Sequence, residues 1–187
     1  MELQPKQELI AEPVSLPWLP YEAIHFLERH LTKKSLVFEW GCGCSTFWIG
    51  RRVKNLISIE HDPRWFDNVL ALLRKKRLDR RVDLMFRPQA EHYVSAIEAY
   101  SDDLFDVIVV DGKWRPACLA RVMPKIRNGG LLLLDNSNRI EYKQPMKLLS
   151  RHWKRIDFEG HGRINPRVPA RTRKQMKVWR ATFWKKP

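Results

Sequence analysis

The sequence predicts an α/β protein, a doubly wound and mostly parallel sheet with helices on both faces. Two observations carry that expectation. Short apolar runs of strand length alternate with amphipathic stretches of helical period from Tyr21 onward. Several of those runs also end on an acid: Glu39, Glu60, Asp111 and Asp135. Ligands bind outside the carboxyl ends of strands in such sheets, so these four acids are expected to cluster along one edge.

The elements follow in order. Pro5, Pro13, Pro17 and Pro20 exclude a long helix over residues 1–20, which reads as an extended arm. Residues 21–187 read as one domain. Ile24, Leu27 and Leu31 give residues 21–31 a helical stripe, with Trp18 and Leu19 either packed in the core or folded over the ligand cleft. The first strand is expected over Ser35–Glu39, with Gly41 and Gly43 turning the chain and Ser45 or Thr46 capping a helix over Thr46–Val53. Leu56–Glu60 forms the second strand, and Asp62 caps a helix that has Pro63 in its first turn. That helix ends in Arg74-Lys75-Lys76-Arg77, cations favoured at a helix C-terminus and read as a solvated cap. Val82–Phe86 is the third strand, and residues 90–99 form a helix. Phe105–Val110 is an unbroken apolar fourth strand, as parallel strands buried on both faces show. A helix over Pro116–Ile126 is expected to stop at Asn128-Gly129-Gly130, where the fifth strand, Leu131–Leu134, begins. A helix over Tyr142–Ser150, a sixth strand over Trp153–Phe158, a loop from Gly160 to Lys177 and a last strand over Lys177–Phe183 complete the chain.

Composition narrows the class. Hydrophobic residues are 44% and charged residues 30% of 187, which is globular rather than disordered. No apolar run approaches a membrane span, and the N-terminus lacks the order of a signal peptide, so a cytoplasmic protein is expected. The three cysteines, Cys42, Cys44 and Cys118, make no disulfide framework, and no second Cys or His pair completes a metal site with Cys42 and Cys44. The net charge of +14 is uneven: 15 of the 35 Lys and Arg lie from Arg139 onward, against 3 of the 21 Asp and Glu. Such asymmetry points either to an anionic partner, nucleic acid included, or to a solvated basic face.

The turn after the first strand narrows the ligand. A dinucleotide-binding turn would place a third glycine at Thr46, and a phosphate loop would place a lysine before the Ser or Thr. Instead Glu39 precedes the glycines. A carboxylate there repels a pyrophosphate but holds an ammonium, such as the amino-acid head of S-adenosylmethionine (SAM). Glu60 lies nineteen residues after Gly41, the separation expected of a ribose-binding acid.

Glu39-x-Gly41-x-Gly43-x-Ser45 resembles the first motif of class I SAM-dependent methyltransferases, with Ser45 in place of the third glycine. Ile57-Ser58-Ile59-Glu60, Phe105 to Gly112 and Gly129 to Asn136 are similar to that family's second, fourth and fifth strand motifs, in the right order and spacing. The resemblance implies a seven-stranded sheet with its last strand antiparallel. It also implies that Glu39, Gly41, Gly43 and Ser45 meet the methionine end of SAM, that Glu60 with His61 holds the ribose, and that Gln89 and Ala90 flank the adenine. Asp111 is expected at the same cleft.

The chemistry implied is in-line methyl displacement, in which the protein chiefly aligns the partners. The fourth strand ends Asp111-Gly112-Lys113-Trp114, which lacks the Pro-Pro of N6-adenine enzymes and the Pro-Cys of C5-cytosine enzymes. Catechol-type O-methyltransferases hold a divalent metal through an Asp after strand four and an Asp-Asn after strand five. Asp111, Asp135 and Asn136 stand in similar places, and such oxygen ligands suit Mg²⁺. That family has a lysine where this chain has Trp114, and Lys113 falls one residue earlier. Asp111, Lys113 and His92 are the candidate bases, and Arg115 and Arg139 candidate clamps for an anionic substrate. The expectation is methyl transfer to an oxygen of a small or glycan-like acceptor. An RNA methyltransferase using the basic C-terminal quarter, and a SAM- or RNA-binding module without catalysis, are the alternatives.

Overall fold

The computed structural model describes residues 16–160 and 179–187. The elements are α1 (Tyr21–Glu28), β1 (Leu36–Trp40), α2 (Cys44–Gly50), β2 (Asn55–Glu60), α3 (Pro63–Lys75), β3 (Val82–Phe86), α4 (Ala90–Ser95), β4 (Phe105–Val110), α5 (Arg115–Leu119), β5 (Ile126–Leu134), α6 (Lys143–His152), β6 (Lys154–Gly160) and β7 (Trp179–Lys185). One-turn 3₁₀ segments follow α4 at Ala96–Ala99 and precede α6 at Ile140–Tyr142. The seven strands form one sheet in the order β3-β2-β1-β4-β5-β7-β6. β1 to β5 run parallel, and β7 inserts antiparallel to both β5 and β6.

Strand alternation sorts side chains into two cores. Val37, Val107, Val109, Leu131 and Leu133 face one side, against α1, α2 and α3. Phe38, Trp40, Ile108, Val110, Leu132 and Leu134 face the other, against α4, α5 and α6. Both faces of the central strands are thus buried, which is why β4 has no polar residue after Asp106. Each fully buried Val, Leu or Ile contributes roughly 1.5–3 kcal/mol, so this double layer dominates the stability. Leu19 is buried and Trp18 packs on the first core, so both are core residues.

The expected helix over Pro116–Ile126 is the largest departure. α5 ends at Leu119, because Pro124 can neither donate to the ladder nor avoid the carbonyl one turn back. β5 begins at Ile126 and contains Asn128, Gly129 and Gly130. Its register against β4 shifts between Phe105 and Val107, which marks a bulge. Gly129 has φ +73, and a Cβ on Gly130 would come within 2.6 Å of Ile126 Cγ2. The two glycines serve an irregular strand, not a turn. Residues 1–15 of the expected arm and the expected loop from residue 161 to 177 lie outside the described residues.

Candidate active site

Parallel strands place the turns after β1, β2, β4 and β5 along one edge. Gly41 N–H donates to Ile59 O (2.9 Å), Asp111 N–H to Trp40 O (3.0 Å) and Asp135 N–H to Val110 O (3.2 Å), so each turn is stitched to its neighbour. Gly41 has φ +92, and a Cβ there would come within 2.5 Å of Gly112 Cα. The turns after β1 and β4 touch because both are glycine. Gly43 differs: a Cβ there would meet nothing nearer than the Trp65 ring at 4.0 Å. That side of the turn is open to a ligand.

Glu39 lies beneath the turn and is fully buried. Its Oε1 accepts from Ser45 Oγ (2.5 Å), and its Oε2 from Thr46 Oγ1 (2.6 Å) and Ser58 Oγ (2.7 Å). Burial raises its pKa from 4.5 to about 7, against the pull of those three hydroxyls. Glu39, expected to meet the ligand ammonium, thus accepts three protein hydroxyls, one on Oε1 and two on Oε2. Ser45 is bound to Glu39, and neither it nor Thr46 is the cap: α2 starts at Cys44 with Gly43 as N-cap. Thr46 Oγ1 also accepts from Gly43 N–H (2.9 Å). The glycine turn is therefore held from below by a carboxylate–hydroxyl network and from the side by Trp65, whose indole N–H donates to Cys42 O (2.7 Å). Cys42, Cys44 and Cys118 are buried and form no disulfide among the described residues.

Glu60 ends β2. Its Oε1 accepts from the N–H groups of His61 (2.7 Å) and Asp62 (2.8 Å). Its Oε2 has only two long contacts, to Cys42 N (3.3 Å) and Cys42 Sγ (3.4 Å), and so keeps capacity for a hydroxyl donor. His61 Nδ1 lies 2.8 Å from Glu60 Oε1 but is off the hydrogen-bonding direction and has no hydrogen-bond partner. Asp62 caps α3 as expected, accepting from Trp65 N–H (2.9 Å). Gln89 and Ala90 are exposed at the start of α4, and Gln89 Oε1 binds His92 Nδ1 (2.9 Å).

Asp111 and Asp135 follow β4 and β5 directly and interact electrostatically with each other. Burial, and then the neighbouring Asp111, push Asp135 well above the carboxylate range. Its Oδ1 is buried without a partner. Asp111 keeps 36% of its side chain exposed. Burial raises its pKa too, with the Arg115 guanidinium opposing the rise.

Arg115 decides what else this crevice can hold. Its side chain is 9% exposed, and it donates to Asp111 Oδ1 (2.8 Å), Asp111 O (2.7 Å), Gly112 O (2.9 Å) and, through Nη1, to Asp135 O. A fixed cation thus already bridges the ends of β4 and β5. Asp111, Asp135 and Asn136 do not fit a divalent ion: the Arg115 cation occupies the first, and Asn136 Oδ1 accepts from Arg139 (3.4 Å). Among the described residues no group of three or more His, Cys, Asp or Glu is arranged to hold a metal. Arg115 is equally unavailable as a substrate clamp, whereas Arg139 is 53% exposed.

Of the candidate bases, Lys113 stands at the crevice, its Nζ 4.6 Å from the Trp114 ring. His92 does not: it lines a separate surface hollow with Met85, Arg87, Ser95 and Tyr100. Its neighbour Tyr93 points inward instead. Tyr93, His61 and Trp114 form an edge-to-face cluster with centroids 5.3–5.9 Å apart. The Tyr93 hydroxyl is buried without a partner, and a Cβ on Gly112 would lie 1.8 Å from it. Trp114 (φ 51) and Asn136 (φ 51) are both left-handed, one after β4 and one after β5. For a bulky Trp this conformation is strained, and such strain gathers at functional clefts.

Residues 38–137 match the model of a protein family described as a methyltransferase domain. The chain belongs to this family. The match spans more than half of the methyltransferase, from β1 to the turn after β5. Solved structures share its fold. A precorrin 8w decarboxylase from Methanobacterium thermoautotrophicum is 18% identical, with 95% of this chain and 94% of that one covered and a TM-score of 0.65. A tRNA (m1A58) methyltransferase from Aquifex aeolicus is 14% identical, with 97% and 75% covered and a TM-score of 0.66. A Streptococcus mutans protein described as a methyltransferase, solved with S-adenosylhomocysteine, is 11% identical, with 89% and 97% covered and a TM-score of 0.62. At these identities the likeness is one of fold. No curated protein matches in sequence. Fold and family together make the chain a class I SAM-dependent methyltransferase, and leave the acceptor open.

Proposed function

We propose that this methyltransferase moves a methyl group to an oxygen of a small acceptor bearing an anionic or glycan-like polar group, with Asp111 as the base. SAM supplies an activated methyl on a sulfonium, so the chain has to align the acceptor and remove its proton. Gly41 and Gly43 let the backbone approach the methionine end, Glu60 Oε2 accepts from the ribose with His61 beside it, and Gln89 and Ala90 border the adenine. Glu39 and Ser45 act one layer down, fixing the turn. The observation that carries the acceptor reading is the Asp111–Asp135–Arg115 cluster. A partly exposed carboxylate, raised by its surroundings, sits beside a second, buried acid and a resident cation, which suits proton removal from a hydroxyl without Mg²⁺. Lys113 and Trp114 border the same opening, and Arg139 with Ile140, 79% exposed, offers a cation next to an apolar surface.

Calorimetric titration of SAM tests the site, followed by acceptor screens that read S-adenosylhomocysteine release. Glu60→Ala should weaken SAM binding at least tenfold. Asp111→Asn should bind SAM normally and lose transfer by 10²-fold or more, the usual worth of a general base. Turnover should persist in EDTA. Mg²⁺-dependent turnover, or full activity in Asp111→Asn, would overturn this reading. A second reading is methylation of RNA. It is favoured by the exposed cations Lys143, Lys147 and Arg151, spaced one turn apart on α6 beside the β5 turn and without ion pairs among the described residues.

A further inference from the structure

The edge of the sheet opposite the active site is strongly basic, and only over half its length. Under β4 and β5 every named cation has a carboxylate: Lys125 meets Asp102 (2.8 Å), Lys186 meets Asp103 (2.6 Å) and Arg127 meets Asp106 (2.7 Å). Under β1 to β3 the pattern changes. Lys34 precedes β1, Lys54 precedes β2, and Arg77, Arg80 and Arg81 precede β3. All five are exposed and make no ion pair with a described residue. Backbone bonds from Lys54 N–H to Ser35 O (3.0 Å) and from Leu56 N–H to Arg81 O (2.9 Å) draw these three entry turns together. The end of α3 and its C-cap, Arg74, Lys75 and Lys76, add three more cations. Arg52, by contrast, is paired with Glu28 (3.0 Å). Asp79 and Asp83 are the acids interspersed.

The backbone gives a second, independent sign. α3 ends in a full Schellman motif: Leu78 N–H donates to Leu73 O (2.9 Å) and Arg77 N–H to Arg74 O (3.0 Å). Its left-handed position, where glycine is the unstrained residue, is Arg77 at φ 54. A cation stands where a cation is conformationally unfavourable.

We infer that this amino edge is a docking surface for the phosphate backbone of RNA. Unpaired cations on converging turns complement a line of phosphates, and the arginine forks suit phosphate oxygens. The edge does not suit a membrane. Stable anchoring needs an apolar or lipid element beside the charge, and among the described residues the large exposed apolar side chains, Tyr21, Ile140 and Leu148, lie elsewhere. The surface is separated from the crevice by a strand length, roughly 20 Å for six residues. It holds the enzyme on a polymer, and does not present the atom to be methylated. The inference therefore stands apart from the acceptor proposed above.

The test is fluorescence anisotropy with a labelled 20-nucleotide single-stranded RNA over a salt series. Full-length wild type is compared with Arg77→Glu/Arg80→Glu/Arg81→Glu and with Lys143→Glu/Lys147→Glu/Arg151→Glu on α6. The first variant should lose more than tenfold in affinity at low salt, and the magnitude of its log–log salt slope should fall by about 2, as loss of three phosphate contacts on a single strand requires. The α6 variant should keep most of both. SAM binding, measured on the same samples, should be unchanged in the first, which separates this test from that of the active site. Arg77→Gly, which relaxes the backbone, should weaken RNA binding while staying folded, so the loss cannot be laid to unfolding. Equal losses in both triple variants, loss only in the α6 variant, no RNA binding by wild type at low salt, or equally strong capture by anionic vesicles would each overturn the inference.

Discussion

The two edges of one sheet have opposite chemistry. The carboxyl edge gathers Glu39, Glu60, Asp111 and Asp135, three of them almost wholly buried. The amino edge under β1 to β3 gathers cations that stand in solvent. Burial is the difference that matters. A buried carboxylate must be hydrogen-bonded, paired or protonated, and this edge shows hydroxyls on Glu39 and Arg115 on Asp111, while burial favours the protonated form of Asp135. An exposed cation needs no partner and is screened by salt. The carboxyl edge should therefore respond to substitution and pH, and the amino edge to ionic strength.

Removing Arg115 breaks this contrast most severely. Arg115→Ala leaves Asp111 without its cation and the carbonyls of Asp111, Gly112 and Asp135 without a donor. Loss of one partner of a buried charged network costs about 3 kcal/mol or more, which for a chain of this size lowers Tm by roughly 6–12 °C. Differential scanning calorimetry checks this. Arg115→Lys should recover only part, since an ammonium cannot reproduce the fork. EDTA should leave the wild-type Tm unchanged.

How far this arrangement can be read from the sequence depends on the type of contact. The strands are legible because runs such as Phe105–Val110 have no other stable fate, and the acids at their ends mark the edge. Arg115 and Tyr93 are not legible. An arginine after a strand end reads equally well as a substrate clamp or as an internal cation, and only the folded turns after β4 and β5, with the carbonyls of Asp111, Gly112 and Asp135, decide. Tyr93 and His92 are adjacent in the same helix, so a rotation of one residue separates the crevice from the outer surface. Gly129 and Gly130 mislead for a related reason: a bulge opposite β4 uses the same residues as a turn.

A pH series sharpens the contrast. The folded pKa of Glu39 is raised from 4.5 to about 7. The fold thus binds this proton more tightly than the unfolded chain does. Its stabilising contribution is complete below the unfolded pKa near 4.5, declines as pH rises, and is gone above about 7. Asp111 and Asp135 are shifted the same way and act with the same sign. A shift of this size corresponds to up to about 3 kcal/mol. Glu39→Gln removes the Glu39 part, so urea unfolding should find wild type losing stability relative to the variant between pH 4.5 and 8. A difference that stays flat, or that grows in favour of wild type with pH, would contradict the buried network around the glycine turn.

The smallest expected effect is on the amino edge. Arg77→Gly removes a charge and relieves a left-handed side-chain-bearing residue at the end of α3. Non-glycine residues in that conformation cost roughly 1 kcal/mol, so the variant should melt about 2–4 °C higher. It should also bind RNA less tightly. The two changes have opposite consequences for an edge that is merely solvated and for one that binds. If the cation has no partner, Arg77→Gly is a gain in stability with no loss. If the edge docks on phosphates, the gain in Tm comes with weaker RNA binding and a shallower salt slope. That coupling of a stabilised fold to weakened binding, measured on one variant, separates an incidental basic surface from a functional one.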